Sequence, residues 1–224
     1  MSFRHYPHAA YTVMPWKNGG GSTQEICRFP DGAEDWQWRA SVADIEQAGP
    51  FSEFPGCDRS LTLLSGEGLR LLPQFPEKPV ELRPPYGSYR FPGEWPMAAE
   101  PIGGPSRDFN LIWKREAVSV SVERRAMHGT LFCLAEPGVR WFVYVLAGEI
   151  RIKDDPGTPQ VVAGDGLLLQ PVPGFWRLIL EGVGEALWIK ITDLHAGVAE
   201  TPELLPDPAA GRIGGRSAQR SSRV

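Results

Sequence analysis

A few short stretches of this 224-residue chain carry side chains able to hold a polar ligand. Lys17 and Asn18 stand just before Gly19-Gly20-Gly21, where a backbone without Cβ atoms can bring its N–H groups close to a bound group. The order is the reverse of a phosphate loop, whose lysine follows its glycines, and GxxxxGK[ST] is absent. Arg39 lies on an alternating segment beside Trp38, so if Trp36 and Trp38 face one way, Arg39 faces the other. Either of those two sides could be the interior. Arg59 follows Pro55-Gly56, and Asp108 and Asn110 flank Phe109 on a strand that projects both to one side. Arginine grips a carboxylate bidentately, and an Asp and an Asn nearby complete a polar recognition set. The same residues can equally serve a structural network of buried ion pairs, Asx turns and loop pins. The candidates for ligand contact are Lys17, Asn18, Arg39, Arg59, Asp108 and Asn110, and no residue is assigned a catalytic role. A set rich in positive donors, with few groups titrating near neutrality, favours holding an anion over moving its protons.

Other chemistries find less support. The histidines are His5, His8, His128 and His195, with no His-x-His or HExxH spacing, and Pro7 argues against a helix that would put His5 and His8 on one face. No metal and no cofactor are expected. Cys27 and Cys133 sit in strand-like runs and read as buried small hydrophobes. Cys57, after a Pro-Gly turn, is the cysteine expected at the surface, with Arg59 as the cation a thiolate would need. No GxSxG elbow occurs.

The elements that must position these residues read as strands. The 25 glycines and 22 prolines cut the chain into short pieces. Between the cuts, Trp36 to Val42 and Val118 to Val122 alternate, and Leu61 to Leu64, Leu69 to Leu72, Leu131 to Leu134, Phe142 to Leu146, Leu167 to Leu169 and Leu187 to Ile191 are brief apolar runs. Long helical periodicity is absent, and the helix candidates are short: Asp44 to Ala48 and Ser22 to Ile26. Many short strands with turns between them predict a sandwich or barrel. A repeat strengthens this. Leu63-Leu64-Ser65-Gly66-Glu67 matches Val145-Leu146-Ala147-Gly148-Glu149, each read as a hairpin turn, and each is followed by a second Gly-acid turn, Gly93-Glu94 and Gly164-Asp165. Two halves with the same order of turns predict a duplicated barrel.

These turns resemble those of cupins, with Gly49, Pro55-Gly56-Cys57 and later Gly164-Asp165, Pro173-Gly174, Trp176 and Arg177 at the motif positions. Arg140-Trp141-Phe142 fills the corresponding stretch of the second half, so histidine ligands are replaced in both. A closer resemblance is to the HutD/Ves family. Met14-Pro15-Trp16-Lys17-Asn18-Gly19-Gly20-Gly21-Ser22-Thr23-Gln24-Glu25-Ile26 is similar to its N-terminal signature. Gly49-Pro50-Phe51-Ser52-Glu53-Phe54-Pro55-Gly56-Cys57-Asp58-Arg59-Ser60-Leu61 resembles its second block, and Asp108-Phe109-Asn110-Leu111-Ile112 with Arg115 its third. The resemblance implies an all-β bicupin, two cupin-like β-barrel or jelly-roll lobes in one chain, and an association with bacterial histidine utilisation. The bicupin domain is expected over 1–200, with a first lobe at about 10–125 and a second at about 126–198.

The implied function is binding of a small carboxylate such as urocanate or a formylated glutamate derivative, in a regulatory, metal-free role. The alternative is a cupin-type isomerase or hydrolase acting on a small acid. A third possibility is a protein-interaction module, with the tryptophans lining an exposed patch. The net charge of −4, with no basic block before the last dozen residues, argues against nucleic acid as a partner. No stretch approaches the length of a membrane span, the N-terminus has no apolar leader, and three isolated cysteines suit a reducing compartment, so a cytoplasmic monomer or homodimer is expected. Residues 201–224, Pro-rich and then Arg/Gly/Ser-rich, read as a flexible tail.

Overall fold

The computed structural model describes residues 2–74, 77–134, 136–153, 157, 160–172 and 177–196. Pro173, Gly174 and Trp176 of the second cupin-like motif, and the 201–224 tail, lie outside the described residues. The architecture is all-β. In chain order the strands are β1 (Ser2–Tyr6), β2 (Thr12–Pro15), β3 (Gly21–Phe29), β4 (Trp38–Ile45), β5 (Gly49–Pro50) and β6 (Cys57–Ser65). They continue as β7 (Leu69–Pro73), β8 (Val80–Leu82), β9 (Ser88–Pro92), β10 (Met97–Pro101) and β11 (Ser106–Lys114). The last are β12 (Val118–Leu134), β13 (Val139–Ile152), β14 (Val161–Val162), β15 (Gly166–Gln170) and β16 (Arg177–Asp193). A single 3-10 turn, His8–Ala10, is the only helical piece among the described residues, and no helix there is long and apolar enough to cross a membrane.

The strands form three antiparallel sheets, ordered β2-β3-β4-β11-β6-β9, β5-β10-β7-β8 and β1-β15-β13-β16-β12, with β14 on β13. Three apolar cores separate them. One, with Ile45, Leu61, Leu63, Leu69, Leu71 and Phe91, fills the space between the first two sheets. A second, with Val143, Leu167, Leu180 and Trp188, lies inside the curled third sheet. The last joins the lobes: Trp38, Val42, Phe109 and Trp113 meet Phe142, Tyr144, Ile189 and Ile191. Aromatic contacts dominate there, with Phe109 and Tyr144 ring centroids 4.7 Å apart and Trp38 and Phe142 6.0 Å apart.

Strand period two then dictates what the first lobe encloses. On β4, Trp38, Ala40 and Val42 enter the inter-lobe core, so Arg39 and Ala43 face the other way. On β11, Phe109, Leu111 and Trp113 do the same, which turns Asp108 and Asn110 inward to the first barrel. The tryptophan side of β4 is thus the lobe interface and the arginine side is the cavity.

Two local expectations do not hold. Ser22–Ile26 is part of β3 and Asp44 part of β4, because pairing of Ser22 with Asp44 satisfies both backbones in a sheet. Gly148-Glu149 is no hairpin. It lies within β13, beside a bulge between Val145 and Ala147, and pairs across to Gly184. A Cβ on Gly148 would lie 2.0 Å from the Val183 carbonyl oxygen, so the glycine serves a close strand approach. Gly66 sits at φ 101° in the β6–β7 connection, which is a turn but not a hairpin, since β6 and β7 belong to different sheets.

Candidate functional site

A cavity of about 580 Å³ opens in the first lobe, and all six expected ligand-contact residues, Lys17, Asn18, Arg39, Arg59, Asp108 and Asn110, line it. Its floor is the β4-β11-β6 sheet, whose register sets polar rows. Ile112 pairs with Arg39 on one side and Arg59 on the other, which places the two arginines across one row. The next inward-facing row is Ser41, Asn110 and Leu61, and the next is Ala43, Asp108 and Leu63. Two segments form the rim: Met14 to Asn18, and Pro50 to Phe54.

The rim is held by local bonds. Trp16 donates its ring N–H to Thr23 Oγ1 at 2.8 Å, and Asn18 Oδ1 accepts the Gly20 backbone N–H at 3.1 Å. Asn18 therefore realises the structural role open to it. The glycine run answers a steric demand, since a Cβ on Gly21 would fall 2.2 Å from the Asp44 carbonyl oxygen and 3.1 Å from the Trp16 ring. Lys17 is exposed at the mouth.

The arginines are deeper. Arg59 is 4% exposed, gives Nη1 to the Ser52 carbonyl at 3.2 Å, and lies under Phe51 at 4.9 Å, Phe91 at 5.3 Å and Phe54 at 5.5 Å. Arg39 sits 5.5 Å from both Phe54 and Trp36, and its acidic neighbour, Glu25, is 4.0 Å away. Phe54 thus bridges two guanidinium groups, as cation–π geometry allows. Both Nε atoms are buried and unbonded. Burial pulls the Arg59 pKa down to about 10, opposed by Asp108 and assisted by Arg39, and burial lowers Arg39 as well.

Asp108 is the surprise of the site. It is buried, and neither carboxylate oxygen has a hydrogen-bond partner. Burial raises its pKa to about 7, against the pull of Arg59 and with a push from Asp44. Asn110 Oδ1 is equally unpartnered. Asp108 is thus the one cavity residue whose pKa burial brings near neutrality, and its neighbours across the sheet, Ala43 and Leu63, offer no donor. Sequence signals the residue but not its isolation.

Two further expectations are corrected. Cys57 is 5% exposed, since it opens β6 and faces the packed interior, and burial raises its thiol pKa despite Lys114 and Arg115. No tryptophan forms a surface patch among the described residues: Trp38, Trp113 and Trp188 are buried, and the exposed large hydrophobics are Val13, Met14, Phe132, Leu134, Val183 and Leu194. His5 and His8, separated by Pro7, nonetheless converge without a helix on buried Asp165, at 2.8 and 2.7 Å. Among the described residues no group of three or more His, Cys, Asp or Glu is placed to hold a metal ion.

The HutD family model matches residues 8–188, which include every residue of the cavity. The chain belongs to the HutD family. It is 35% identical over 183 residues to protein Ves of Cronobacter sakazakii, covering 81% of this chain and 94% of that one. A Pseudomonas putida protein described as an uncharacterized 21.2 kDa protein in the hutC 3′ region is 46% identical over 105 residues, 46% of this chain and 54% of that protein. The structure is similar to that of HutD from Pseudomonas fluorescens SBW25 in a formate condition, with 30% identity, a TM-score of 0.73 and coverage of 86% and 99% of the two chains. Escherichia coli pirin and hazelnut vicilin, at 8% identity and TM-scores of 0.60 and 0.55, share the bicupin fold of this HutD protein and speak to fold alone.

Proposed function

We propose that this HutD protein binds a small carboxylate in the first-lobe cavity and acts as a metal-free, ligand-responsive component of histidine utilisation. The observation that carries this is a pair of guanidinium groups facing one cavity, Arg59 buried and Arg39 half-buried, both with unbonded Nε atoms and, among the described residues, with only Glu25, 4.0 Å from Arg39, paired to either. Two like charges out of water are costly, and an anion bridging them would offset that cost. The formate condition of the Pseudomonas fluorescens structure and the hutC neighbourhood in the name of the Pseudomonas putida relative point the same way. The unpartnered acceptors of Asp108 and Asn110 lie beyond the arginines and favour a ligand with an N–H group opposite its carboxylate. Urocanate and formylated or formimino derivatives of glutamate have that character.

A thermal-shift screen of wild type and Arg59→Met against urocanate, formiminoglutamate, formylglutamate, formate and histidine tests the reading. A saturable stabilisation lost in the variant supports it, because a ligand that binds only the native state raises stability by mass action. No shift with any of these acids at millimolar concentration removes it.

Asp108 supports a second reading, a cupin-type isomerase or hydrolase. A carboxyl group that titrates near 7 inside a ligand cavity suits general acid–base work. Incubation of the bound acid in deuterated water, followed by NMR, separates the two. Deuterium incorporation or a new product that disappears in Asp108→Asn would establish chemistry, and an unchanged ligand spectrum would leave binding alone.

A further inference from the structure

A second cavity, of about 320 Å³, lies on the reverse face of the same strands. Thr23, Ala43 and Asp108 face the first cavity, and their immediate neighbours Gln24, Val42 and Arg107 face this one. Its opposite wall comes from the other lobe, through Tyr144 on β13 and the Ala163-Gly164 turn, with Tyr86 closing a side.

Three observations mark it as more than a packing gap. Tyr144 is 4% exposed, and no hydrogen bond reaches its hydroxyl among the described residues. The hydroxyl is not one of the buried unpartnered atoms; it borders the open space and is presented to whatever fills it. Tyr86 has φ 57°, the one positive value at a non-glycine residue among those described, and such strain in a bulky residue persists where the surroundings demand it. Its hydroxyl points to the Leu146 carbonyl of the other lobe at 3.5 Å. Arg107, finally, meets Asp44 through Nε at 3.5 Å, which leaves the outer edge of its guanidinium to the cavity. The third tyrosine, Tyr11, is fixed with its single hydroxyl proton shared between the Tyr6 and Gly164 carbonyls, at 3.1 and 3.0 Å.

We infer that this inter-lobe cavity is a second ligand site, for a small aromatic carboxylate held by Arg107 and the Tyr144 hydroxyl between tyrosine rings. The volume is at the small end for ligand pockets and admits a single ring with its carboxylate. The two sites are joined through charge. Arg107 neutralises Asp44, and Asp44 acts on Asp108 across the sheet. An anion that draws Arg107 away leaves Asp44 less compensated on the reverse face, and through Asp44's effect on Asp108 occupancy behind the sheet alters the electrostatics in front of it.

The probe is 4-bromobenzoate, followed by titration calorimetry in solution and by bromine anomalous scattering in crystals. The expected result is a bromine peak between the lobes in wild type and in Arg59→Met. Binding there weakens about tenfold or more in Arg107→Met and severalfold in Tyr144→Phe, which removes only an unpartnered hydroxyl and leaves the fold intact. Bromine found only in the first-lobe cavity, no binding at millimolar probe, or binding indifferent to both variants would overturn the site. Failure of the first-lobe reading shows separately, as indifference of carboxylate binding to Arg59→Met.

Discussion

The chemistry of the first cavity is concentrated in two residues of opposite charge that do not meet. Arg59 is bonded to a backbone carbonyl and covered by three phenylalanine rings, whereas Asp108 has no partner at all. Replacing Arg59 by Met keeps the volume and removes the charge, and carboxylate affinity is expected to fall by about tenfold or more in titration, since charge-assisted bonds contribute about 1.5–3 kcal/mol. Asp108 gives the protein a pH signature. Its carboxyl titrates near 7 when folded and near 3.8 otherwise, so the native state holds the extra proton between those values. Stability from this group is complete below about pH 4 and is lost as pH rises through about 7, by up to about 1.4 kcal/mol per pH unit. Asp108→Asn should abolish that slope in urea denaturation and be more stable than wild type at pH 8. An equal slope in the variant would show that the carboxylate is solvated.

At the scale of elements, the site depends on β4, β6 and β11 keeping their polar residues in phase. A one-residue slip would exchange Arg39 for Trp38 on β4, Arg59 for Ser60 on β6 and Asp108 for Phe109 on β11. Gly21 is where β3 enters this sheet against the end of β4, and Gly21→Ala forces a Cβ into the Asp44 carbonyl. A loss of about 1–3 kcal/mol is expected, with displacement of the Trp16-Lys17-Asn18 rim, measurable as a lower melting temperature and weaker carboxylate binding. The brief apolar runs and alternating segments located these strands well, and the six polar candidates fell on one cavity because period two is visible in Trp38-Arg39 and Asp108-Phe109-Asn110. Less legible was Ser22–Ile26, where tertiary pairing overrides a local reading, and Gly148, whose role is a close crossing rather than a turn.

At the scale of the whole molecule, one aromatic core joins the lobes, and one buried acid ties down the segment that runs between them. Trp38 is fully buried against Phe142, and Trp38→Ala should cost about 3–5 kcal/mol in equilibrium unfolding. Asp165 accepts from His8 N at 2.8 Å and Val162 N at 3.2 Å and meets both His5 and His8, and against the opposing effect of burial these bonds lower its pKa. The sign is opposite to that of Asp108: this contribution is present above the ordinary carboxylate range and is lost as pH falls through the depressed native value. Asp165→Asn should therefore lower stability at pH 7 and lose less than wild type on acidification, followed by tryptophan fluorescence.

Local pattern alone determined that this chain is a β protein, and that its polar candidates share strand faces, because side-chain alternation acts over a few residues. Motif order placed it beside the HutD family. Tertiary structure decided which face of β4 and β11 is the cavity, that Asp108 has no donor within reach, and that Cys57 is covered. It also brought His5 and His8 to Asp165, and Tyr86 and Arg107 to Tyr144, across separations that no local spacing encodes. Burial and partner choice are properties of the assembled sheets, set by what the opposite strand or the other lobe presents, and a sequence read segment by segment carries no record of them.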